Sequence, residues 1–163
     1  MNLWPIILIL LAIAMVAGPI MMFKPSNRDR RLSELRQAAA QNGLHVRMTT
    51  IPCNGAPRSV AIYSMPLDKI EEDKGESRVQ WALLKGDLSH DVHFDNRWNW
   101  KNNEKMAPKH YHDGLLQLIR SFDPSIMGVE VTYDSIGVYW TEQKLTFDQV
   151  QALLKECKTD FGD

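Results

Sequence analysis

Hydrophobic and polar positions follow three different patterns along this 163-residue chain, and each pattern predicts a different kind of structure. From Leu3 to Phe23 there are 21 residues without a single charge. Beyond Gly43 several short runs place an apolar residue at every second position, which is typical of half-buried strands. Two later segments repeat apolar residues every three or four positions, as amphipathic helices do. These patterns predict an α+β chain with one N-terminal transmembrane helix followed by a small antiparallel sheet packed with two or three helices.

The uncharged N-terminal run predicts a transmembrane anchor over residues 1–24. At a rise of 1.5 Å per residue, its length is roughly 30 Å, which matches the hydrocarbon core of a bilayer. A cleaved signal peptide is the alternative. It is disfavoured because no basic side chain precedes the run and because the run is longer than the apolar part of a typical signal, about 7–15 residues.

Residues 25–43 predict a basic juxtamembrane helix. Ser26 or Asn27 is a good N-cap, and Gly43 suits the position just after the helix. The positive charges expected at the membrane surface are Lys24, Arg28, Arg30, Arg31 and Arg36. Basic residues resist translocation, so their position after the span predicts a bacterial inner (plasma) membrane protein with its N-terminus out and its C-terminal domain cytoplasmic. They would bind anionic lipid head groups, or else the helix simply packs its apolar stripe on the domain.

Residues 44–163 predict one soluble α+β domain. Period-two patterns indicate strands over 44–51, 59–65 and 78–86, with Asn54-Gly55 as the first hairpin turn and a short strand near 89–95. A second hairpin is centred on Asp134-Ser135. Helical periodicity runs from Pro108 to Phe122, and Thr146 with Gln149 forms a capping box before a last helix. The final residues, 158–163, are expected to be a frayed tail.

Charge and cysteine content narrow the possible partners. The formal net charge is −1, and outside the basic segment the chain has 14 basic and 18 acidic residues. A mildly acidic domain is a poor nucleic-acid binder, so no such partner is predicted. Cys53 and Cys157 are too few for a disulfide framework, and reduced thiols fit a cytoplasmic domain.

A group of histidines and carboxylates is the main candidate for chemistry. The metal site of this alternative comprises Asp91, His93, Asp95, His110 and His112. Imidazole and carboxylate ligands suit zinc. However, neighbours at i and i+2 on a helix point about 200° apart, so His110 and His112 cannot both bind one ion. Because catalytic sequence motifs are absent as well, the first expectation is no enzyme and no cofactor.

Trp98 and Trp100 admit two interpretations. In "NRWNWKNN" they alternate with basic and amide side chains. They either pack on the sheet or form a patch that binds a partner protein, since exposed tryptophan and arginine are frequent interface hot spots.

The stretch "PIMMFKPSNRDRRLSELRQ" gives the N-terminal part a layout similar to the YajC family, small single-pass accessory subunits of the bacterial Sec translocon. The resemblance covers about a quarter of the chain. Lys24-Pro25-Ser26 stands where the family typically has Arg-Pro-Gln, and no functional residue is carried over. The resemblance implies a location at the inner membrane beside a translocase.

These observations lead to one hypothesis and two alternatives. The first is a single-pass, membrane-anchored, non-catalytic accessory or interaction subunit of an inner-membrane complex, with protein partners in the membrane or at its cytoplasmic face. The second is a membrane-tethered metal-dependent hydrolase that uses the histidine and aspartate group. The third is a periplasmic domain in which Cys53 and Cys157 form a disulfide.

Overall fold

The computed structural model describes residues 3–22, 26–53, 56–68, 78–86, 92–101 and 106–162, with side chains for all of these except 16–22 and 56. The chain divides into two compact units, Met1–Glu34 and Leu35–Asp163. The first unit contains helix α1, Trp4–Met22, and the start of helix α2, Asn27–Gln41. The second unit holds the rest of α2 and the sheet.

No helix among the described residues is both long and apolar enough to cross a membrane. The predicted transmembrane anchor over 1–24 is therefore wrong. The single-pass inner-membrane location, with the N-terminus out and the domain cytoplasmic, is wrong for the same reason, because it depended on that span.

Both ends of α2 form as the sequence predicts. The Ser26 hydroxyl accepts a hydrogen bond from the Asp29 backbone N–H at 3.1 Å, and the Asp29 carboxylate accepts one from the Ser26 N–H at 3.2 Å. At the other end Gly43 adopts a φ of 75°, which favours glycine. The N–H of Leu44 then donates to the carbonyl of Ala39 at 3.0 Å, so the last turn is closed by a Schellman motif.

The domain is built on one seven-stranded antiparallel sheet. In the sheet the strands follow the order β1-β2-β7-β6-β3-β5-β4. Their bounds are His45–Cys53 (β1), Ala56–Pro66 (β2), Trp81–Lys85 (β3), His93–Asp95 (β4), Trp98–Trp100 (β5), Ile126–Val131 (β6) and Ser135–Trp140 (β7). The predicted α+β class and hairpins are confirmed. The third strand begins later than predicted, at Trp81, and the predicted Asn54-Gly55 turn lies outside the described residues.

One face of the sheet packs against helices, and we call it the helix-covered face. It receives α2, α3 (His112–Ser121, preceded by a 3₁₀ turn at Lys109–Tyr111) and α4 (Phe147–Phe161). Alternate strand residues point into this core, among them Tyr63, Leu83, Trp100, Val138 and Trp140. Burying such large apolar side chains supplies most of the driving force for folding.

Helix α4 is capped at its first residue and packed against the core at its last. The Thr146 hydroxyl accepts a hydrogen bond from the N–H of Gln149, and the Gln149 side-chain oxygen accepts one from the N–H of Thr146, so the predicted capping box is confirmed. The helix continues to Phe161, whose ring is buried against Trp81 and Tyr111. The predicted frayed tail is wrong as far as Phe161, because that ring completes the aromatic core.

The opposite side, which we call the open face, carries the other half of the strand residues. No helix of the described chain belongs to its apolar cluster, which comprises Ile51, Val60, Ile62, Leu84, Met127 and Tyr139, with Cys53 at its margin. Side chains point alternately to the two faces along β2 and β7. Val60, Ile62 and Tyr139 alternate with residues of the helix-covered core, so they point to the open face. Two buried polar residues, Glu130 and Asn99, lie on this face as well.

Candidate functional site

A buried carboxylate lies on the open face at the centre of the sheet. Glu130 on β6 has a side chain that is 8% exposed. Its Oε1 accepts a hydrogen bond from Arg47 Nη2 at 3.0 Å, and its Oε2 accepts one from the Tyr139 hydroxyl at 2.5 Å. Lys101 Nζ donates to the same hydroxyl at 3.3 Å. We refer to Arg47, Glu130, Tyr139 and Lys101 as the open-face network.

Glycines in β6 and β7 make room for this network. Gly137 is paired directly with Glu130 across the two strands, and Gly128 is paired with Tyr139. A Cβ at Gly128 would lie 3.0 Å from the Tyr139 ring and 2.5 Å from a methyl of Leu84. A Cβ at Gly137 would lie 3.4 Å from the Glu130 stem. The two large side chains therefore occupy space above two glycines.

Arg47 reaches Glu130 from the edge of the sheet. Strand β1 is separated from β6 by β2 and β7, so the backbones are about 14 Å apart at roughly 4.8 Å per strand. Two long side chains are therefore needed to bring Arg47 Nη2 to 3.0 Å from Glu130 Oε1.

Burial keeps Tyr139 in its protonated form. Desolvation of the ring and the neighbouring charge of Glu130 raise the pKa of Tyr139 well above its usual value, in spite of Arg47. The hydroxyl is thus a permanent donor to Glu130 while it accepts from Lys101. The network carries two cations and one carboxylate, so it has a net positive charge.

A cleft of about 150 Å³ adjoins the network. Ala82, Lys101 and Glu130 line it along one cross-strand row, together with Gln80, Thr132 and the neighbouring residues Trp81 and Val131. The backbone N–H of Lys101 donates to the carbonyl of Ala82 at 2.9 Å, which extends the pairing of β5 with β3 and fixes the lysine beside the cleft. The Lys101 ammonium also lies over the Tyr139 ring, 5.7 Å from its centroid.

A second arginine, glutamate and tyrosine set lies on the helix-covered face. Arg36 of α2 binds Glu142 through two hydrogen bonds of 2.7 and 2.6 Å, and the Tyr63 hydroxyl donates to the same carboxylate at 2.9 Å. Glu142 is held in a left-handed conformation, with a φ of 57°. Such a bidentate pair ties α2 to the chain after β7 and is a structural contact.

Two residues of the predicted metal site, His93 and His112, are not brought together. His93 bonds to the Asn99 amide on the open face, whereas His112 packs on Phe94 and Trp100 and contacts the carbonyl of Ala107 on the other face. His110 stacks on Tyr111. Within the described ranges no three histidine, cysteine or acidic residues form a group that would hold a metal ion. Asp91 lies outside those ranges, and Asp95 stands at the edge strand β4.

The predicted tryptophan patch is buried. Trp98 and Trp100 point into the helix-covered core, where Trp98 packs on Phe122 and Trp100 packs on Trp81 and Phe94. Strand alternation explains this: both residues of β5 share one face, and only Asn99 between them points to the open face. Neither ring is available as a partner patch, and the interpretation in which they pack on the sheet describes them.

The basic residues predicted at a membrane surface differ in their exposure and in their partners. Arg28, Arg30 and Arg31 are exposed on α2, and Lys24 lies outside the described residues. Arg36 instead binds Glu142. The two cysteines are free and lie on opposite faces, with Cys53 beside the open-face cluster and Cys157 in the helix-covered core. They do not form the disulfide of the third alternative.

The open-face network was missed in the sequence, although a signal for it exists. The run "IMGVEV" is otherwise apolar, so a glutamate inside it is an unusual residue for a central strand. With "GVY" in the following strand, each glycine stands two residues from a large polar side chain. The spacing alone does not show which residues pair. The register of the β6–β7 hairpin places Gly137 opposite Glu130 and Gly128 opposite Tyr139.

Comparisons of the chain with protein-family models, with curated proteins and with solved structures find no match.

Proposed function

We propose that this chain is a non-catalytic interaction protein whose domain binds an extended segment of a partner protein along the outer edge of β1. The observation that supports it is the position and length of this strand. It is the terminal strand of the sheet and has nine residues, about 30 Å of backbone. An edge strand has unpaired N–H and C=O groups on its outer side, which form a template for another strand.

The side chains of β1 favour a partner segment in which polar and apolar residues alternate. Met48 is 48% exposed, and His45 and Thr50 are exposed as well. Arg47 is held toward Glu130 on the open face, so it leaves the outer edge of the backbone accessible. Edge strands that avoid pairing are usually short or carry several charges or bulges. By contrast, β1 pairs with β2 over its whole length in regular register, Arg47 is its only arginine or lysine, and its one proline, Pro52, stands next to its last residue.

The other edge of the sheet is a weaker candidate. Strand β4 has three residues, and its register with β5 shifts between His93 and Asp95. A short, irregular strand offers few aligned backbone groups. The hydrolase alternative would have to use His110 rather than His112, because His93 and His112 lie on opposite faces of the sheet.

Site-specific photo-cross-linking tests the proposal. A photoreactive amino acid replaces Met48 in one variant and Met106, an exposed methionine outside the sheet, in the control. Both proteins are expressed in the cells that naturally contain the chain. We expect Met48 to yield one discrete cross-linked partner and Met106 to yield none. The cross-linked peptide is then synthesised, and its binding to the full chain is measured.

Met48→Lys should weaken binding of this peptide, because a charge on an edge strand disfavours pairing, whereas Met106→Lys should leave it unchanged. Hydrogen exchange should show new protection in β1 amides when the peptide is added. Protection confined to another part of the chain, or equal effects of the two lysine substitutions, would contradict the proposal.

A further inference from the structure

We infer that the cleft beside Glu130 binds a small carboxylate ligand that also carries a hydrogen-bond donor, the chemistry that short amino acids and hydroxy acids share. This inference does not depend on the proposed role of β1. It depends on the size of the cleft, on the hydrogen-bond donors that remain on the Lys101 ammonium group and on the acceptor positions that remain on the Glu130 carboxylate.

The size of the cleft limits the ligand. Its volume is about 150 Å³. A cavity of about this size holds benzene, so a ligand of about six non-hydrogen atoms would fit in it. Ala82, Lys101 and Glu130 are among the residues that line it.

Lys101 supplies the site for an anion. Its ammonium group bonds to the Tyr139 hydroxyl, and within the described part of the chain no carboxylate forms an ion pair with it. An ammonium group has three donors and the described residues accept from one of them, which leaves two for a ligand. The contact with Tyr139 fixes the lysine in place before a ligand arrives, which lowers the entropy cost of binding.

Glu130 selects against a simple anion. Each of its oxygens accepts one hydrogen bond, from Arg47 and from Tyr139, and a carboxylate has about four acceptor positions. Its negative charge lines the cleft together with Lys101. A ligand must therefore place its own carboxylate on Lys101 and direct an N–H or O–H group to Glu130. Short amino acids and hydroxy acids meet both requirements.

Nuclear magnetic resonance titration of the full chain tests this inference, with the Ala82 methyl as reporter of the cleft and the Ala61 methyl as reporter of the helix-covered face. L-Alanine and L-lactate are the two probes, and propionate is the control that lacks the donor. We expect at least one of the probes to shift the Ala82 signal in a saturable manner, with a millimolar dissociation constant or tighter. Comparing the probes tells whether the donor is an ammonium or a hydroxyl group.

Propionate should bind about tenfold more weakly, because a hydrogen bond to a charged group is lost. Lys101→Met should weaken binding of the better probe by at least about tenfold. Lys85→Met is the matched control, since Lys85 lies 5.9 Å from the Trp98 ring centroid and, like Lys101, makes a cation–π contact, but it does not line the cleft.

Three results would overturn the inference: no saturable shift of Ala82 with either probe, equal binding of propionate, or equal effects of the two lysine substitutions. An unchanged Ala61 signal in each variant checks that the fold is intact. Lys101 is exposed, so its replacement leaves the core as it is.

Discussion

The two faces of the sheet each hold an arginine, a glutamate and a tyrosine, but the two sets differ in what surrounds them. On the helix-covered face Arg36 donates two hydrogen bonds to Glu142, and Tyr63 donates a third. On the open face Arg47 makes one hydrogen bond to Glu130, and its side chain is 63% exposed. Among the described residues, the open-face set has a second cation, Lys101, and a cleft beside it.

This difference separates a structural contact from a candidate site. A bidentate arginine pair satisfies the carboxylate and fastens a helix, which is a sufficient reason for Glu142 to be buried. Among the described residues, Glu130 is instead paired with Arg47 and accepts a hydrogen bond from Tyr139, both on strands of the sheet. These two partners offset the cost of burying the carboxylate. The ligand inferred for the adjoining cleft would give its remaining acceptor positions a partner.

The largest effect should come from removing a core aromatic ring on the helix-covered face. Trp100 is buried against Trp81, Phe94 and His112, and Trp100→Ala should lower the free energy of unfolding by about 3–5 kcal/mol, because it leaves a large cavity. Urea unfolding measures the loss. Met48→Ala on the exposed edge strand is the control and should change stability by less than about 0.5 kcal/mol. A loss of the same small size for Trp100→Ala would place the main core elsewhere.

The two tyrosines offer the sharpest test of the comparison. Tyr139→Phe leaves Glu130 Oε2 without its donor and should cost about 1.5–3 kcal/mol. Tyr63→Phe should cost less, about 0.5–1.5 kcal/mol, because Arg36 still donates to both oxygens of Glu142. Both variants are compared by urea unfolding at the same pH. Equal losses would mean that the two sets are energetically equivalent.

Glycine substitutions test the space that the open-face network needs. Gly128→Ala would bring a methyl group within 2.9 Å of the Leu83 carbonyl oxygen and 2.5 Å of Leu84, and should destabilise the domain by about 1–3 kcal/mol. Gly114→Ala in α3 is the contrast, since its Cβ would lie an ordinary 3.5 Å from Phe161. It should stabilise the domain by about 0.5–1 kcal/mol. Thermal unfolding measures both, and a neutral Gly128→Ala would show that the Tyr139 ring has room to move.

The smallest effect concerns the reactivity of the two thiols. Burial, followed by the charges of Glu156 and Asp160, raises the pKa of Cys157 from 9.0 to about 12. A thiol reagent at about pH 8 should therefore modify Cys53 quickly and Cys157 only after denaturation. Because the unfolded chain loses this proton first, the contribution of Cys157 to stability is complete below its unfolded pKa of 9.0 and is lost as the pH rises toward 12. Rapid modification of both thiols in the native protein would contradict the buried position.

Local signals in the sequence predicted the elements well. The Ser26 cap, the left-handed Gly43, the Thr146 and Gln149 capping box and the hairpin at Asp134-Ser135 all depend on residues close together in the chain. The 21-residue uncharged run also predicted a helix, which α1 confirms, but length and apolarity alone led to a membrane span that the described chain does not support.

Long-range pairing decided where the candidate residues lie. His93 and His112 lie on opposite faces of the sheet, and tryptophans that alternate with polar residues point into the core because β5 pairs with β3. The sequence alone determined the helices, the strands and the caps, since these follow from neighbours within about four residues. Only the tertiary structure decided that Arg47, Lys101, Glu130 and Tyr139 meet, because strand order and register bring together side chains from four different parts of the chain.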